Sequence, residues 1–270
     1  MKKQCETDMD GAAAAGGRGN SSPVKIGVAD YGLNVWDGGL LDTGERLKAL
    51  KAIGYEGLER LDASDSAQAL HKAAMFRRLG MDFGTCRGPN PELTFEWTAA
   101  FGKTYVWLNP SDRNPDVLYR TANWMAEVAA SWGLTAALHN HLGSPVESQA
   151  QVEAFLDACP CCKLVLDTAH LAGAGGDPMA LLRKYSKRVH ALHLKDFVYK
   201  DKNIGLDKWW ERLRFCELGA GEMGNLNADV LNTVVRDGFS GWVFVEHDTH
   251  LRNPFEDLAV SRAYVKRAGF

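Results

Sequence analysis

Eight short apolar runs, each followed by a stretch of helical periodicity, constrain this chain more than any other feature. The runs are Lys25–Ala29, Gly57–Leu61, Met81–Cys86, Thr104–Leu108, Thr135–His139, Lys163–Asp167, Val189–Lys195 and Gly241–Glu246. Their nearly continuous apolarity reads as strands buried on both faces. Between them, apolar residues recur at the 3.6-residue spacing of an amphipathic helix: Leu47, Leu50 and Ile53, then Leu118, Ala122, Met125, Val128 and Ala129. Gln149–Ala158, Leu181–Tyr185, Val230–Val235 and Leu258–Val265 follow the same spacing, and Glu92–Phe101 is the shortest and weakest. Glycine turns such as Gly54-Tyr55-Glu56-Gly57 and Gly238-Phe239-Ser240-Gly241 precede several strands, where helices must stop. Eight strand-then-helix units predict an α/β chain folded as a single-domain (β/α)₈ TIM barrel. An open doubly wound sheet would want a Gly-rich phosphate loop after the first strand, and Ala29-Asp30-Tyr31-Gly32-Leu33 is not one.

Several strands end on residues that have no packing reason to be there. His139 and His141, Asp167 and His170, His193, and Glu246 close the fifth, sixth, seventh and eighth runs. In a barrel those ends form one mouth, where active sites lie. Side chains alternate along a strand, so positions 139, 167, 193 and 246 all point inward for one choice of face per strand. The same parity carries Lys195 and His141 with them and aims Glu59 inward. Each residue alone has a plainer reading: a core histidine bonded to a carbonyl, an aspartate capping the next turn, or a solvated glutamate. Their coincidence at one barrel end points to a site.

Two imidazoles and two carboxylates form a mixed nitrogen and oxygen set for Mn²⁺, Co²⁺, Zn²⁺ or Mg²⁺. His139, Asp167, His193 and Glu246 are therefore the expected metal ligands, with His141 an open alternative to His139. Glu246, His170 and Lys195 are the expected catalytic groups. Lys195 wants a counter-charge, for which Glu59 and Glu217 are the candidates. Glu59, His141, Lys195 and Trp36 are expected to touch substrate, with Trp36, Trp209 and Trp210 on loops over the mouth. The Gly-rich Glu217–Glu222 stretch lacks the Lys-Ser/Thr continuation of a P-loop, so it either brings backbone to a ligand or turns the chain.

Composition narrows the classes. Lys plus Arg is 31 and Asp plus Glu is 34, a net charge of −3 that offers no footprint for nucleic acid. No apolar run reaches the length of a membrane span. Residues 1–22 are small and polar and read as a disordered tail rather than a signal peptide, leaving 23–270 for the barrel. Of six cysteines, Cys159, Cys161 and Cys162 cluster, but Cys5, Cys86 and Cys216 lack the spacing to complete a zinc site. Reduced thiols and a cytoplasmic location are expected.

At His139-Asn140-His141-Leu142-Gly143, at Leu166–Pro178, at His193-Leu194-Lys195-Asp196 and at Gly241–Asp248, the chain resembles the xylose-isomerase-like barrel superfamily of sugar isomerases, epimerases and dehydratases. Tyr55–Glu59 also fits, and within the superfamily the motifs look most like those of inosose (2-keto-myo-inositol) dehydratases. The resemblance implies a divalent-metal enzyme acting on a sugar or cyclitol ketone by α-proton abstraction through an enediolate, leading to isomerisation or dehydration. It implies His139, Asp167, His193 and Glu246 as ligands. Many epimerases carry a glutamate at the fifth-strand position, where this chain has His139, a departure from the symmetric two-carboxylate pattern. The alternatives are a sugar-binding subunit that depends on a partner, and an endonuclease with a multi-zinc cluster on the same barrel. A small-molecule sugar or cyclitol partner is expected, with no nucleic acid or membrane, and homo-oligomerisation is left open.

Overall fold

The computed structural model describes residues 24–109 and 111–270; the tail expected over residues 1–22, with Cys5, lies outside the described residues. In chain order the elements are β1 (Val24–Ala29), α1 (Tyr31–Asp37), α2 (Thr43–Ile53), β2 (Gly57–Asp62), α3 (Ser66–Leu79), β3 (Asp82–Arg87), α4 (Pro91–Ala100), β4 (Tyr105–Leu108), α5 (Pro115–Ser131), β5 (Thr135–His139) and α6 (Gln149–Ala158). They continue with β6 (Lys163–Asp167), α7 (Thr168–Gly173), α8 (Pro178–Tyr185), β7 (Val189–Leu194), β8 (Asp196–Tyr199), α9 (Trp209–Arg212), β9 (Leu213–Cys216), α10 (Leu226–Arg236), β10 (Gly241–Glu246) and α11 (Pro254–Arg267). All eight expected strands are present, with ends shifted by a residue at most.

Eight strands form one ladder in the order β3-β2-β1-β10-β7-β6-β5-β4, every pairing parallel. Its two ends, β3 and β4, meet through a side chain: the Thr85 hydroxyl donates to the Tyr105 carbonyl at 2.7 Å. The result is the expected TIM barrel. Helix starts share one device. Asn90, Asn114, Asp177 and Asn253 each accept a backbone N–H of the first turn, and each precedes a proline. The cap satisfies an orphan donor, while proline at the first helical position has no donor to lose.

The barrel interior is filled by Ala29, Tyr105, Ala137, Val165, Ala191 and Phe244. Phe244 is the plug, stacked on Trp242 with ring centroids 5.1 Å apart. Glycines make room for it: a Cβ at Gly84 would sit 2.7 Å from the Phe244 ring, and one at Gly27 2.8 Å. This packed floor leaves only the C-terminal ends of the strands for a site.

One element departs from the expected pattern. The stretch after Lys195, expected as a loop, contains a two-stranded antiparallel hairpin, β8 with β9, whose tip carries α9 and hence Trp209 and Trp210. Asp196 holds its base. That carboxylate accepts from the backbone N–H groups of Phe197, Gly219, Gly221 and Met223. The Gly-rich stretch thus brings backbone to Asp196, and a Cβ on Gly221 would lie 2.4 Å from Oδ1 of that carboxylate. Cys86, Cys159, Cys162 and Cys216 are buried free thiols as expected, whereas Cys161 is disulfide-bonded, a correction to that expectation.

Candidate metal centre

His139 from β5, Asp167 from β6, His193 from β7 and Glu246 from β10 offer ligand atoms that all lie within 4.8 Å of one another. Register explains the convergence. Asp167 pairs with His193 across β6 and β7, and Phe244, two residues before Glu246, pairs with His193 across β7 and β10. In a parallel ladder paired residues face the same way, so the inward parity is common to all four. His139 Nε2 is 3.5 Å from Asp167 Oδ2, and His193 Nδ1 is 2.6 Å from Glu246 Oε2. Of the two fifth-strand histidines, His139 joins this cluster. His141 groups with His170 and Asp248 instead.

Asp167 divides its two oxygens between structure and site. Oδ1 accepts the His170 N–H at 2.7 Å and caps α7, as the plainer reading foresaw. Oδ2 is left facing the cluster. Asn140 fixes the strand end by accepting from the Asp167 N–H at 2.9 Å and donating to its carbonyl at 3.0 Å. The Trp107 indole stacks on His139 with centroids 4.7 Å apart and donates to Glu59 at 2.9 Å.

Glu59, fully buried, enters the cluster from β2, its Oε1 lying 2.9 Å from His193 Nε2. Lys195 is also fully buried, and its counter-charges correct the expectation. Nζ contacts Glu246 at 3.0 Å, Asp248 at 3.0 Å and Asp167 at 3.3 Å, while Glu217 pairs with Arg252. Asp248 was not foreseen, although it shares the parity of Glu246. His170 lies on α7, fully buried, with Nε2 3.0 Å from Lys195 Nζ.

These contacts set the charges. Burial alone would disfavour the imidazolium of His193, but Glu59 and Glu246 on either side push its pKa up to about 10. Burial likewise opposes ionisation of Glu246, yet Lys195 and His193 hold it well below the usual carboxylate range. Asp167 is lowered against its burial by Lys195 and His170, and Glu59 by His193. Burial lowers His139 to about 4 and takes His170, next to Lys195, well below the usual histidine value. Lys195 stays charged because Asp167, Asp248 and Glu246 outweigh its desolvation.

The donor set fits a divalent cation. His139 Nε2 and Glu59 Oε2 are buried with no hydrogen-bond partner among the described residues, while Asp167 Oδ2 is ion-paired with Lys195 at 3.3 Å. Such orphans are costly unless something satisfies them. Glu59, Asp167, Glu246 and Asp248 set four carboxyl groups against two cationic groups, Lys195 and His193. A divalent ion that displaces the His193 proton would reduce that excess of negative charge.

A cavity of about 590 Å³ opens onto the cluster at His139, walled by Trp107, His141, Leu142, Trp209 and Trp210. His141 Nδ1 lies 2.6 Å from the Leu142 carbonyl, so in the neutral ring Nδ1 is the donor and Nε2 the acceptor. Trp209 was expected over the mouth and is there, brought by the hairpin. Trp36 is not part of this wall: on α1, half exposed, it lines a separate groove with Leu41 and Phe255.

The family model described as "Xylose isomerase-like TIM barrel" matches residues 92–267. An inosose dehydratase of Bacillus velezensis is 28% identical over 163 residues, covering 57% of this chain and 55% of the relative. The chain thus spans about half the length of the curated relatives it matches. Among solved structures, a sugar phosphate isomerase/epimerase from Parabacteroides distasonis superposes with a TM-score of 0.69 at 18% identity, covering 92% of this chain and 96% of that one. The IolI protein, solved with a zinc atom bound, superposes with a TM-score of 0.64 at 16% identity, covering 90% and 97%. Parallel barrel, site at the strand ends and matched family agree, and the chain belongs to the xylose isomerase-like TIM barrel family.

Proposed function

We propose that this chain is a divalent-metal-dependent lyase that removes a proton beside the ketone of a sugar or cyclitol and expels water from the neighbouring carbon, as an inosose dehydratase would. The observation that carries this reading is the buried cluster of His139, Asp167, His193 and Glu246, with its orphaned atoms and its deficit of positive charge. The relatives named inosose dehydratase support this reaction class, and the IolI structure, solved with a zinc atom, supports a metal at such a site.

His139, Asp167, His193 and Glu246 would hold the ion. When bound, a divalent ion supplies Lewis acidity that draws electron density from a substrate carbonyl. Of the expected bases, Glu246 and His170 are buried beneath the cavity, whereas His141 stands in its wall. His141 Nε2 accepts the proton from the α-carbon and returns it to the departing hydroxyl, so one group serves as base and then acid. Lys195 and His170 act behind it, Lys195 by keeping Asp167 and Glu246 ionised. Trp107 and Trp209 give the substrate apolar faces to lie against. One base on one wall suits elimination better than an inversion needing two opposed carboxylates.

A multi-metal nuclease is disfavoured on one observation. The second group of candidate ligands, His141, His170 and Asp248, already has the Lys195 ammonium 3.0 Å from His170 and from Asp248. A lysine holds the place a second cation would take.

The test uses protein stripped with chelator and reloaded with Mn²⁺, Co²⁺ or Zn²⁺, incubated in D₂O with a panel of inososes and ketoses. Metal-dependent deuterium entry at a carbon next to the carbonyl, with a new conjugated enone absorbance, is expected. Binding of metal and sugar without exchange on any member would replace this reading with a sugar-binding subunit.

A further inference from the structure

A second cluster of ligating side chains lies behind the first, on the outer face of the last barrel strand. His247 follows Glu246, the last residue of β10, and turns toward α11, its Nδ1 3.6 Å from Asp257 Oδ2. There it meets His250 from the connecting loop and Asp257 from the first turn of α11, all three side chains at least 96% buried. The ligand atoms of these three residues lie within 4.8 Å of one another.

The hydrogen bonds leave one atom unexplained. His247 Nε2 is 3.2 Å from the Phe215 carbonyl, and a carbonyl only accepts, so Nε2 carries the proton. The neutral ring therefore presents a bare lone pair at Nδ1. That atom is buried, has no hydrogen-bond partner among the described residues, and faces Asp257 Oδ2 at 3.6 Å. Two lone pairs aimed at each other in a dry setting repel unless something positive stands between them. His250 Nδ1 lies 2.8 Å from the same carboxylate oxygen. Asp257 Oδ1 is turned the other way, accepting from Arg252 Nε at 2.6 Å, which fixes the carboxylate and leaves Oδ2 to the two imidazoles.

We propose that His247, His250 and Asp257 form a second metal site, structural rather than catalytic, that takes Zn²⁺. Tetrahedral ligands on bonds of about 2.0–2.1 Å stand roughly 3.3 Å apart, and the separations of 2.8 and 3.6 Å to Asp257 Oδ2 bracket that value. A proton on one ring nitrogen donated to a backbone carbonyl is the usual support of a zinc-bound histidine, and His247 has it in Phe215. Charge allows the ion. Arg252 is shared among Asp257, Glu217 at 3.0 Å and Glu256 at 3.9 Å, so three carboxylates face one guanidinium. Gly32 is part of the fit, because a Cβ there would lie 3.0 Å from His250 Nε2 and 1.8 Å from the His247 carbonyl oxygen. The ion would clasp the end of β10, and with it Glu246, to the start of α11.

The full chain, stripped and then dialysed against limiting Zn²⁺ or Co²⁺, gives the test by metal analysis and by the visible spectrum of bound Co²⁺. Wild type should hold two equivalents, Asp167→Asn one, and Asp167→Asn with His250→Gln none. Chelator should lower the Tm of Asp167→Asn by several degrees and leave that of the double variant unchanged, by the mass action of an ion that binds only the folded state. Asp257→Asn replaces His250→Gln if the latter does not fold, with near-ultraviolet dichroism as the check. If Asp167→Asn binds no ion while folded, a proton or a water satisfies His247 and the proposal is wrong, whatever the fate of the first site.

Discussion

Nδ1 of His193 lies 2.6 Å from Oε2 of Glu246, and with Glu59 2.9 Å from the other ring nitrogen the two carboxylates push the pKa of the metal-free histidine up to about 10. A metal ligand must be neutral, so loading the site expels that proton. Metal affinity should therefore rise with pH, by roughly tenfold per unit below about 10. Close to one proton should leave per ion bound at pH 8, read by calorimetry in buffers of different ionisation enthalpy. The same raised pKa stabilises the metal-free fold. That contribution is complete below about 6.5, the value in the unfolded chain, and is lost as pH rises through about 10. Metal uptake without proton release would mean that His193 is not a ligand.

Lys195 is the counter-ion of the whole cluster. Lys195→Met removes the ammonium from among Asp167, Glu246 and Asp248 and leaves buried carboxylates unpaired. Breaking one side of a buried pair costs about 3–5 kcal/mol. Urea unfolding of the metal-free protein should show a loss of that size. Adding Asp248→Asn to Lys195→Met should recover part of it, whereas additive losses would show that the two residues do not interact.

The barrel floor depends on an aromatic ring filling space that two glycines vacate. Gly84→Ala sets a methyl 2.7 Å from Phe244 and should cost about 1–3 kcal/mol, the usual range for overpacking. Combining it with Phe244→Leu should cost less than the two single changes added together. Thermal unfolding of the four proteins completes the cycle, and strict additivity would show that Gly84 and Phe244 are not in contact.

Trp209 and Trp36 should behave differently although the sequence offers both as platforms for a sugar. Trp209 walls the cavity beside His141, and Trp36 lines another groove. Loss of an aromatic contact worth about 0.5–1.5 kcal/mol should raise KM for the Trp209→Ala variant several-fold. Trp36→Ala should leave KM unchanged. Equal effects would contradict the placement of the substrate.

The four proposed ligands were legible because strand parity is rigid: once Asp167 and His193 face inward, His139 and Glu246 follow at the same spacing. Glu59 was readable for the same reason. Asp248 obeyed that parity too, but it lies beyond the last strand residue, where alternation is no longer guaranteed. The partners of Lys195 were missed because its own strand end does not reveal which neighbouring side chains reach it. The β8 and β9 hairpin was missed because its two four-residue strands are too short to show a period. Trp36 lines a different groove from Trp209, which composition alone cannot tell.

The most direct measurement is an anomalous difference map from crystals of the stripped protein soaked in Mn²⁺. A peak within bonding distance of His139, Asp167, His193 and Glu246, with His193 Nδ1 parted from Glu246 and Nε2 still paired with Glu59, is the predicted result. Absence of any peak there at saturating Mn²⁺, with His193 still bridging Glu59 and Glu246, would contradict the account.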